Sequence, residues 1–139
     1  MAADRLSGPA FGRAYAAALV ALLALDALWL GVLSKDLYRR EMGSLMADSV
    51  RLAPAVLFYL LYPAALTYLA LLHRPAGALE AIRRSAVLGL AAYGAYDLTN
   101  MAIVRDWPIG LSLIDWAWGG VVSALSGAAG WWAAWRRAA

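Results

Sequence analysis

Three aspartates stand inside long apolar stretches of the sequence, where acidic side chains are rare. They are Asp26, Asp97 and Asp115. A charged aspartate near the centre of a membrane-crossing helix costs about 2.5–3.5 kcal/mol even on lenient insertion scales. Each of these carboxyls is therefore expected to face protein or a polar cavity. Carboxyls held in this way are candidates for taking up or releasing a proton during a reaction or a transport step.

Other polar side chains follow one of these aspartates at helical spacing. Tyr93, Tyr96, Asp97 and Asn100 stand at positions i, i+3, i+4 and i+7. Residues at this spacing share one face of an α-helix. The pattern predicts a polar stripe along a helix that is otherwise apolar.

The composition and the length of the apolar stretches indicate the elements that carry these residues. The chain has 139 residues, of which 64% are hydrophobic and 15% charged, and its mean hydropathy is +0.65. Its apolar stretches run approximately over residues 13–33, 53–72, 82–104 and 109–135. Each is close to the roughly 20 residues that cross a bilayer. We predict an all-α integral membrane protein whose residues 1–139 form one domain, a bundle of four transmembrane helices.

The first loop, residues 34–52, is the longest connection. Its apolar residues recur at roughly the spacing of an α-helix. Two interpretations stay open for it. The first helix can extend to Gly43 and be followed by a short helix at the membrane surface. Alternatively, the extension is followed by a solvated turn.

Counting residues from the span ends places the aspartates at a common depth. Asp26 lies seven residues before residue 33, Asp97 lies seven before residue 104, and Asp115 lies six after residue 109. At about 1.5 Å per residue, all three are about 9–11 Å inside the same membrane boundary. The second span brings Tyr59 and Tyr62 to a similar depth. These side chains are expected to form one polar layer.

A short internal similarity links the first and last spans. The segments "DALWLGVLS" at 26–34 and "DWAWGGVVS" at 115–123 share Asp, Trp, Gly, Val and Ser at the same offsets. Trp29 and Trp118 each follow an aspartate by three residues, so an indole N–H could reach a carboxylate. Chance similarity in a biased composition is the alternative. The small residues of "GGVVSALSGAAG", 119–130, predict close packing against another helix.

Several classes of site and partner are excluded or disfavoured by composition. Without cysteine, the chain can form neither a disulfide nor a thiolate metal site, and one histidine, His73, cannot form a multi-histidine site. Three aspartates and an asparagine could in principle bind a hard divalent cation. Because no Asp-x-x-Asp or similar local pair occurs, we expect no metal and no other cofactor. A net charge of +3 without a run of basic residues predicts no nucleic-acid partner.

The distribution of basic residues predicts the orientation in the membrane. The N-terminus, the second loop and the C-terminus carry seven: Arg5, Arg13, Arg74, Arg83, Arg84, Arg136 and Arg137. The first and third loops carry five: Lys35, Arg39, Arg40, Arg51 and Arg105. Since basic loops stay in the cytoplasm, both termini are predicted to be cytoplasmic.

Three motifs in this order resemble those of a known family. "DALWLG" at 26–31, "YDLTN" at 96–100 and "DWAWG" at 115–119 are similar to the motifs of domain-of-unknown-function family 2177, and "FYLLY" at 58–62 fits its second span. The resemblance implies a small, multi-pass protein of the bacterial inner membrane with four spans. It supplies no established chemistry. The resemblance also implies an association with enzymes that modify membrane fatty acyl chains, which points towards lipid metabolism or envelope stress.

Our first functional hypothesis is a lipid-linked enzyme or accessory protein that binds a lipid-like molecule between its helices. Burial and like-charge crowding would keep one carboxyl neutral as a donor while another stays ionised, which suits double-bond isomerisation or hydration. The candidate catalytic residues are Asp26, Asp97, Asp115 and Tyr96. The candidate ligand-binding residues are Trp29, Tyr59, Tyr62, Tyr93, Asn100 and Trp118.

Two other functions stay open. Membrane carboxylates also suit a proton-coupled carrier of small molecules. Alternatively, the protein is a structural or assembly subunit whose polar layer only sets helix packing. Besides the lipid bilayer, its partners could be a second copy of the chain or another membrane protein.

Overall fold

A computed structural model describes residues 4–135 of the chain. The helices, in chain order, are α1 (Gly8–Leu28), α2 (Lys35–Met42), α3 (Leu52–Leu66), α4 (Ala78–Ile103) and α5 (Ile109–Trp135). Wider π-helical turns extend α1 over Trp29–Leu33 and α3 over Thr67–Leu71. No strand occurs within residues 4–135, so the prediction of an all-α protein is confirmed.

Within residues 4–135, three helical segments are long and apolar enough to cross a membrane. They are Gly8–Leu33, Leu52–Leu71 and Ile109–Trp135. Helix α4 has 26 residues, and at about 1.5 Å per residue it is about 39 Å long, more than the hydrocarbon thickness of about 30 Å. The mean hydropathy of α4 is lower than that of the three segments above, because α4 carries charged residues near its start and a polar stripe near its end.

The bundle has small residues inside and large apolar residues outside. Within residues 4–135, many of the fully buried side chains are alanine or serine, among them Ala14, Ala18, Ser85 and Ser123. Large aliphatic side chains point outwards on α1, α3, α4 and α5, and Ile103 on α4 is 81% exposed. Helices that associate in lipid pack through small residues and present apolar side chains to the acyl chains. This distribution is the one expected of a membrane protein.

Close packing of α4 on α5 depends on glycines from both helices. A Cβ atom at Gly89 would collide with the Gly119 carbonyl oxygen and the Ser123 side chain. A Cβ atom at Gly127 would collide with the Ser85 side chain. The small-residue face predicted on the last span is therefore a packing surface, as expected.

We expect Gly89→Ala to destabilise the bundle by about 1–3 kcal/mol, because the added methyl has no room between the helices. Gly12→Ala is a matched control, since no atom of the described residues lies within 4 Å of the place that a Cβ atom would take at Gly12 on the exposed face of α1. Alanine is the better helix former, so the control should leave stability unchanged or raise it by up to about 1 kcal/mol. Thermal unfolding in detergent measures both. Equal effects of the two substitutions would contradict this account of the packing.

The N-terminal segment, the loop between α3 and α4, and the end of α5 meet at one end of the bundle. The backbone N–H of Leu6 donates to the Leu72 carbonyl at 2.9 Å. The Arg13 guanidinium donates to the carbonyls of Ala133 and Ala134, each at 3.3 Å, and so joins α1 to the last described turn of α5. The Arg74 guanidinium lies 5.9 Å from the centre of the Trp135 ring. Arg136 and Arg137, which entered the orientation count, lie outside the described residues.

The first loop folds as an interrupted continuation of α1. Helical structure breaks at Ser34, whose backbone N–H and hydroxyl both bond to the Trp29 carbonyl, at 2.8 and 2.7 Å. Helix α2 then runs to Met42 and ends at Gly43, which has φ of 51°. Gly43 was predicted as this stop, because only glycine adopts such a backbone conformation readily. Beyond it only a 3-10 turn forms, Gly43–Leu45, so the short helix of this loop is α2 itself.

Candidate functional site

A cavity of about 370 Å³ opens between the helices near the α2 end of the bundle. Aspartates and aromatic rings form most of its wall. The lining residues are Asp26, Trp29, Leu30, Tyr38, Phe58, Ala92, Tyr93, Tyr96, Asp115 and Trp118. Six of these ten were candidate site residues from the sequence.

Asp26 is held by donors from two other helices. The Tyr59 hydroxyl of α3 donates to its Oδ2 at 2.8 Å, and the Trp118 indole N–H of α5 donates to its Oδ1 at 2.9 Å. The side chain is only 6% exposed. Because both oxygens already have a partner, the carboxyl is fixed in position at the cavity wall.

Asp115 and Asp97 form a pair of carboxyls from α5 and α4. They are 9% and 2% exposed and line the same small depression next to Tyr38. The Oδ2 atom of Asp97 accepts no hydrogen bond from the residues that the structure describes. Two carboxyl groups can bond to each other only when one of them carries a proton. This pair can therefore hold a proton beside the cavity.

Tyr38 of α2 is a site residue that the sequence did not suggest. Its hydroxyl donates to Oδ1 of Asp115 at 2.6 Å, and its side chain lines the cavity. Burial, followed by the bond to Asp115, raises the pKa of the Tyr38 hydroxyl, so this group remains a neutral donor. The apolar spacing within residues 34–52 was a signal that one face of this loop is buried, but it did not identify Tyr38 as a ligand of Asp115.

The two Asp-x-x-Trp segments meet at the cavity wall. The rings of Trp29 and Trp118 stack with their centres 4.9 Å apart and their planes at 12°. The Trp118 indole reaches Asp26 on the other helix rather than its own Asp115. The Trp29 indole N–H has no hydrogen-bond partner within residues 4–135, so only one of the two tryptophans reaches a carboxylate, whereas the similarity between the first and last spans had suggested this contact for both.

Tyr62 and Tyr93, both predicted to lie in the polar layer, pack against each other at the cavity. The Tyr62 hydroxyl lies 2.6 Å from Oγ of Ser123, and either oxygen can be the donor. The Tyr62 and Tyr93 rings meet edge to face with centres 6.0 Å apart. Tyr93 lines the cavity, whereas Tyr62 lies behind it.

A comparison with protein families identifies the family to which the chain belongs. The model of a family described as "Predicted membrane protein (DUF2177)" matches residues 11–132. The chain belongs to this family. The match covers every residue of the cavity wall and the Asp97–Asp115 pair. No curated protein and no solved structure matches the chain.

The structure brings together most, but not all, of the candidate site residues from this DUF2177 sequence. Asp97 does not line the cavity, and it borders a small depression together with Asp115, which does line the cavity. Tyr96 lines the cavity but is 53% exposed at its outer edge, where its ring meets Trp107 edge to face at 5.8 Å. Asn100 is half-buried and outside the lining. Within residues 4–135, no group of three His, Cys, Asp or Glu side chains could hold a metal ion.

Proposed function

We propose that this protein binds an apolar, lipid-like molecule in the cavity and exchanges protons with it. The observation that carries the proposal is the composition of the wall. Two carboxyls from different helices, Asp26 and Asp115, face a volume otherwise bounded by aromatic and aliphatic side chains. Pockets of this kind, mostly apolar with a few convergent polar groups, are typical of small-molecule sites.

The outer edge of the cavity supports entry from the bilayer. Leu30, Phe58 and Tyr96 line it, and each is also exposed on the outer surface of the bundle. A molecule dissolved in the membrane could therefore enter sideways between the helices. This route favours an acyl chain or a similar apolar body over a water-soluble ligand.

The two carboxyl sites have different roles in the proposal. Asp115 delivers a proton to the bound molecule, and Asp97 behind it replaces that proton. Asp26, fixed by Tyr59 and Trp118, stabilises developing positive charge or accepts a proton, and the Trp29 face adds cation–π stabilisation.

Isomerisation of a double bond needs one proton delivered and one removed. Hydration needs a proton, a water molecule and the return of a proton. Neither reaction requires an oxidant or a reductant.

We further propose that α4 is the fourth membrane span, in a bacterial inner membrane, with both termini in the cytoplasm. Exposed apolar side chains on α4, including Val87, Leu90 and Leu98, support contact with lipid. Its glycine contacts with α5 support a position inside the bundle. The meeting of arginine-bearing segments at one end agrees with a cytoplasmic location of that end.

A cavity-filling substitution tests ligand binding. Ala92 lines the cavity and is exposed at its edge, so Ala92→Trp should fill the space without touching the polar layer. We expect a specific apolar molecule to co-purify with the wild-type protein in detergent, in about equimolar amount, and to be lost from Ala92→Trp. Mass spectrometry of the extracted lipids measures both.

The matched control is Ala95→Trp, which adds the same ring to an exposed position of α4 outside the lining. It should retain the molecule. Absence of any specific molecule from the wild-type protein, or equal loss from both variants, would contradict the proposal and favour a structural subunit.

The Asp97–Asp115 pair also favours a second candidate, a proton-coupled carrier, because a carboxyl pair can exchange a proton for a ligand. Purified protein in liposomes distinguishes the two. A carrier moves protons across the membrane together with the co-purified molecule. An enzyme changes the mass of that molecule and moves no protons.

A further inference from the structure

A second depression lies between α3 and α4, towards the end of the bundle where the arginine-bearing segments meet. It has a volume of about 470 Å³, and we call it the lipid groove. Its lining residues are Leu69, Ala70, Arg83, Arg84, Val87, Leu88 and Ala91. Both arginines lie on the first turns of α4, and the other lining side chains are apolar. The groove therefore has one charged end and one apolar end.

The wide turn at the end of α3 forms one side of the groove through Leu69 and Ala70. The helix widens over Thr67–Leu71, where the Thr67 hydroxyl donates to the Pro63 carbonyl at 2.8 Å. Such π-helical turns insert one extra residue and change which side chains face outwards. Leu69 is consequently exposed beside Val87 of α4, and both form the outer walls of the groove.

The two arginines differ in their partners. Arg84 pairs with Glu80 and also donates to the His73 carbonyl at 2.6 Å. The pKa of Glu80 is below its ordinary value because the Ala76 backbone N–H, and then Arg84, bond to its carboxylate, so Glu80 stays ionised. Arg83 is exposed and forms no ion pair with any residue between 4 and 135. The charged end of the groove therefore carries one uncompensated positive charge.

We propose that the lipid groove binds one anionic phospholipid, with its phosphate at Arg83 and an acyl chain along Val87, Leu88 and Ala91. Charge complementarity at one end and an apolar channel at the other match the two parts of this ligand. Arg83 lies about 12 Å along the helix axis from Ala91, so the channel takes the upper part of an acyl chain. The proposal concerns a different site from the acid–base cavity and does not depend on the chemistry proposed there.

Native mass spectrometry of the full chain in detergent tests the charged end. One molecule of dioleoylphosphatidylglycerol should bind to each chain, and it should bind more tightly than dioleoylphosphatidylcholine. Arg83→Gln should weaken phosphatidylglycerol binding about fivefold, the effect of one basic residue near an anionic lipid, and leave phosphatidylcholine binding unchanged. Arg39→Gln, an exposed arginine on α2, is the matched control and should have no effect. Equal binding of the two lipids, or equal effects of the two substitutions, would overturn the proposal.

A second pair of variants tests the apolar end. Ala91→Trp fills the groove beneath Arg83 and should abolish the preference for phosphatidylglycerol. Val121→Trp adds the same ring to an exposed position of α5 and should preserve the preference. Inorganic phosphate at equal concentration should not displace the lipid. Displacement by phosphate would show that the arginine alone binds the anion, and an unaffected Ala91→Trp would show that no acyl chain occupies the groove. Either result would overturn the proposal.

Discussion

Replacing Asp26 with leucine is expected to lower the free energy of unfolding by about 2–3 kcal/mol. The substitution leaves the Tyr59 hydroxyl and the Trp118 indole N–H without their acceptor in a buried place. An orphaned buried donor costs about 1–3 kcal/mol, while interhelical bonds in membrane proteins average about 0.6 and reach about 1.7 kcal/mol. Two lost hydrogen bonds, each near the upper end of the range measured in membrane proteins, add up to the expected loss. Denaturation in mixed detergent micelles measures it.

A combined variant separates the bonds from the packing. In Asp26→Leu with Tyr59→Phe, one donor is removed together with the acceptor and the ring stays in place, so about half of the lost stability should return. Asp36→Leu, an exposed aspartate on α2, is the control for adding leucine and should leave stability nearly unchanged. If Asp26→Leu were no more harmful than Asp36→Leu, the polar layer would not stabilise the bundle.

The depth of the aspartates could be predicted because helix length is nearly fixed by residue number. Asp26, Asp97 and Asp115 were placed in one layer by counting from the span ends, and the position of Asp97 and Asp115 around one small depression agrees with that count. The direct bond from Trp118 to Asp26 follows from the same layer, since both residues lie at matching depths on antiparallel helices. The position of a residue along the helix axis follows from counting residues and does not depend on how the neighbouring helices pack.

Rotation about the helix axis could not be predicted with the same accuracy. Tyr96 precedes Asp97 by one residue and so points about 100° away around the helix, which explains why Asp97 is buried while Tyr96 is half exposed. The partner of Asp115 depended on the break at Ser34, which turns α2 so that Tyr38 reaches the carboxyl. A count of residues along the chain cannot show where a helix is interrupted and in which direction the next helix continues.

Asp97→Asn is expected to leave the fold and ligand binding intact and to lower proton transfer by at least about 100-fold, the lower limit for losing a general acid–base group. An asparagine at 97 can donate its amide N–H to Asp115 permanently, so the contact between α4 and α5 no longer needs a shared proton. Stability should therefore stay within about 1 kcal/mol of the wild type, the ordinary scale of a mild substitution. The asparagine cannot supply a proton to Asp115, so conversion of the bound molecule should slow by the same factor.

The mass of the co-purified molecule distinguishes this role from a structural one. Wild-type protein should carry or release the converted molecule, whereas Asp97→Asn should retain an equal amount in the unconverted form. Asn100→Ala, on the same stripe but outside the cavity wall, is the matched control and should convert the molecule as the wild type does. Conversion by Asp97→Asn at the wild-type rate would exclude Asp97 as the proton reserve. Loss of the bound molecule together with stability would instead make Asp97 a residue that holds α4 against α5.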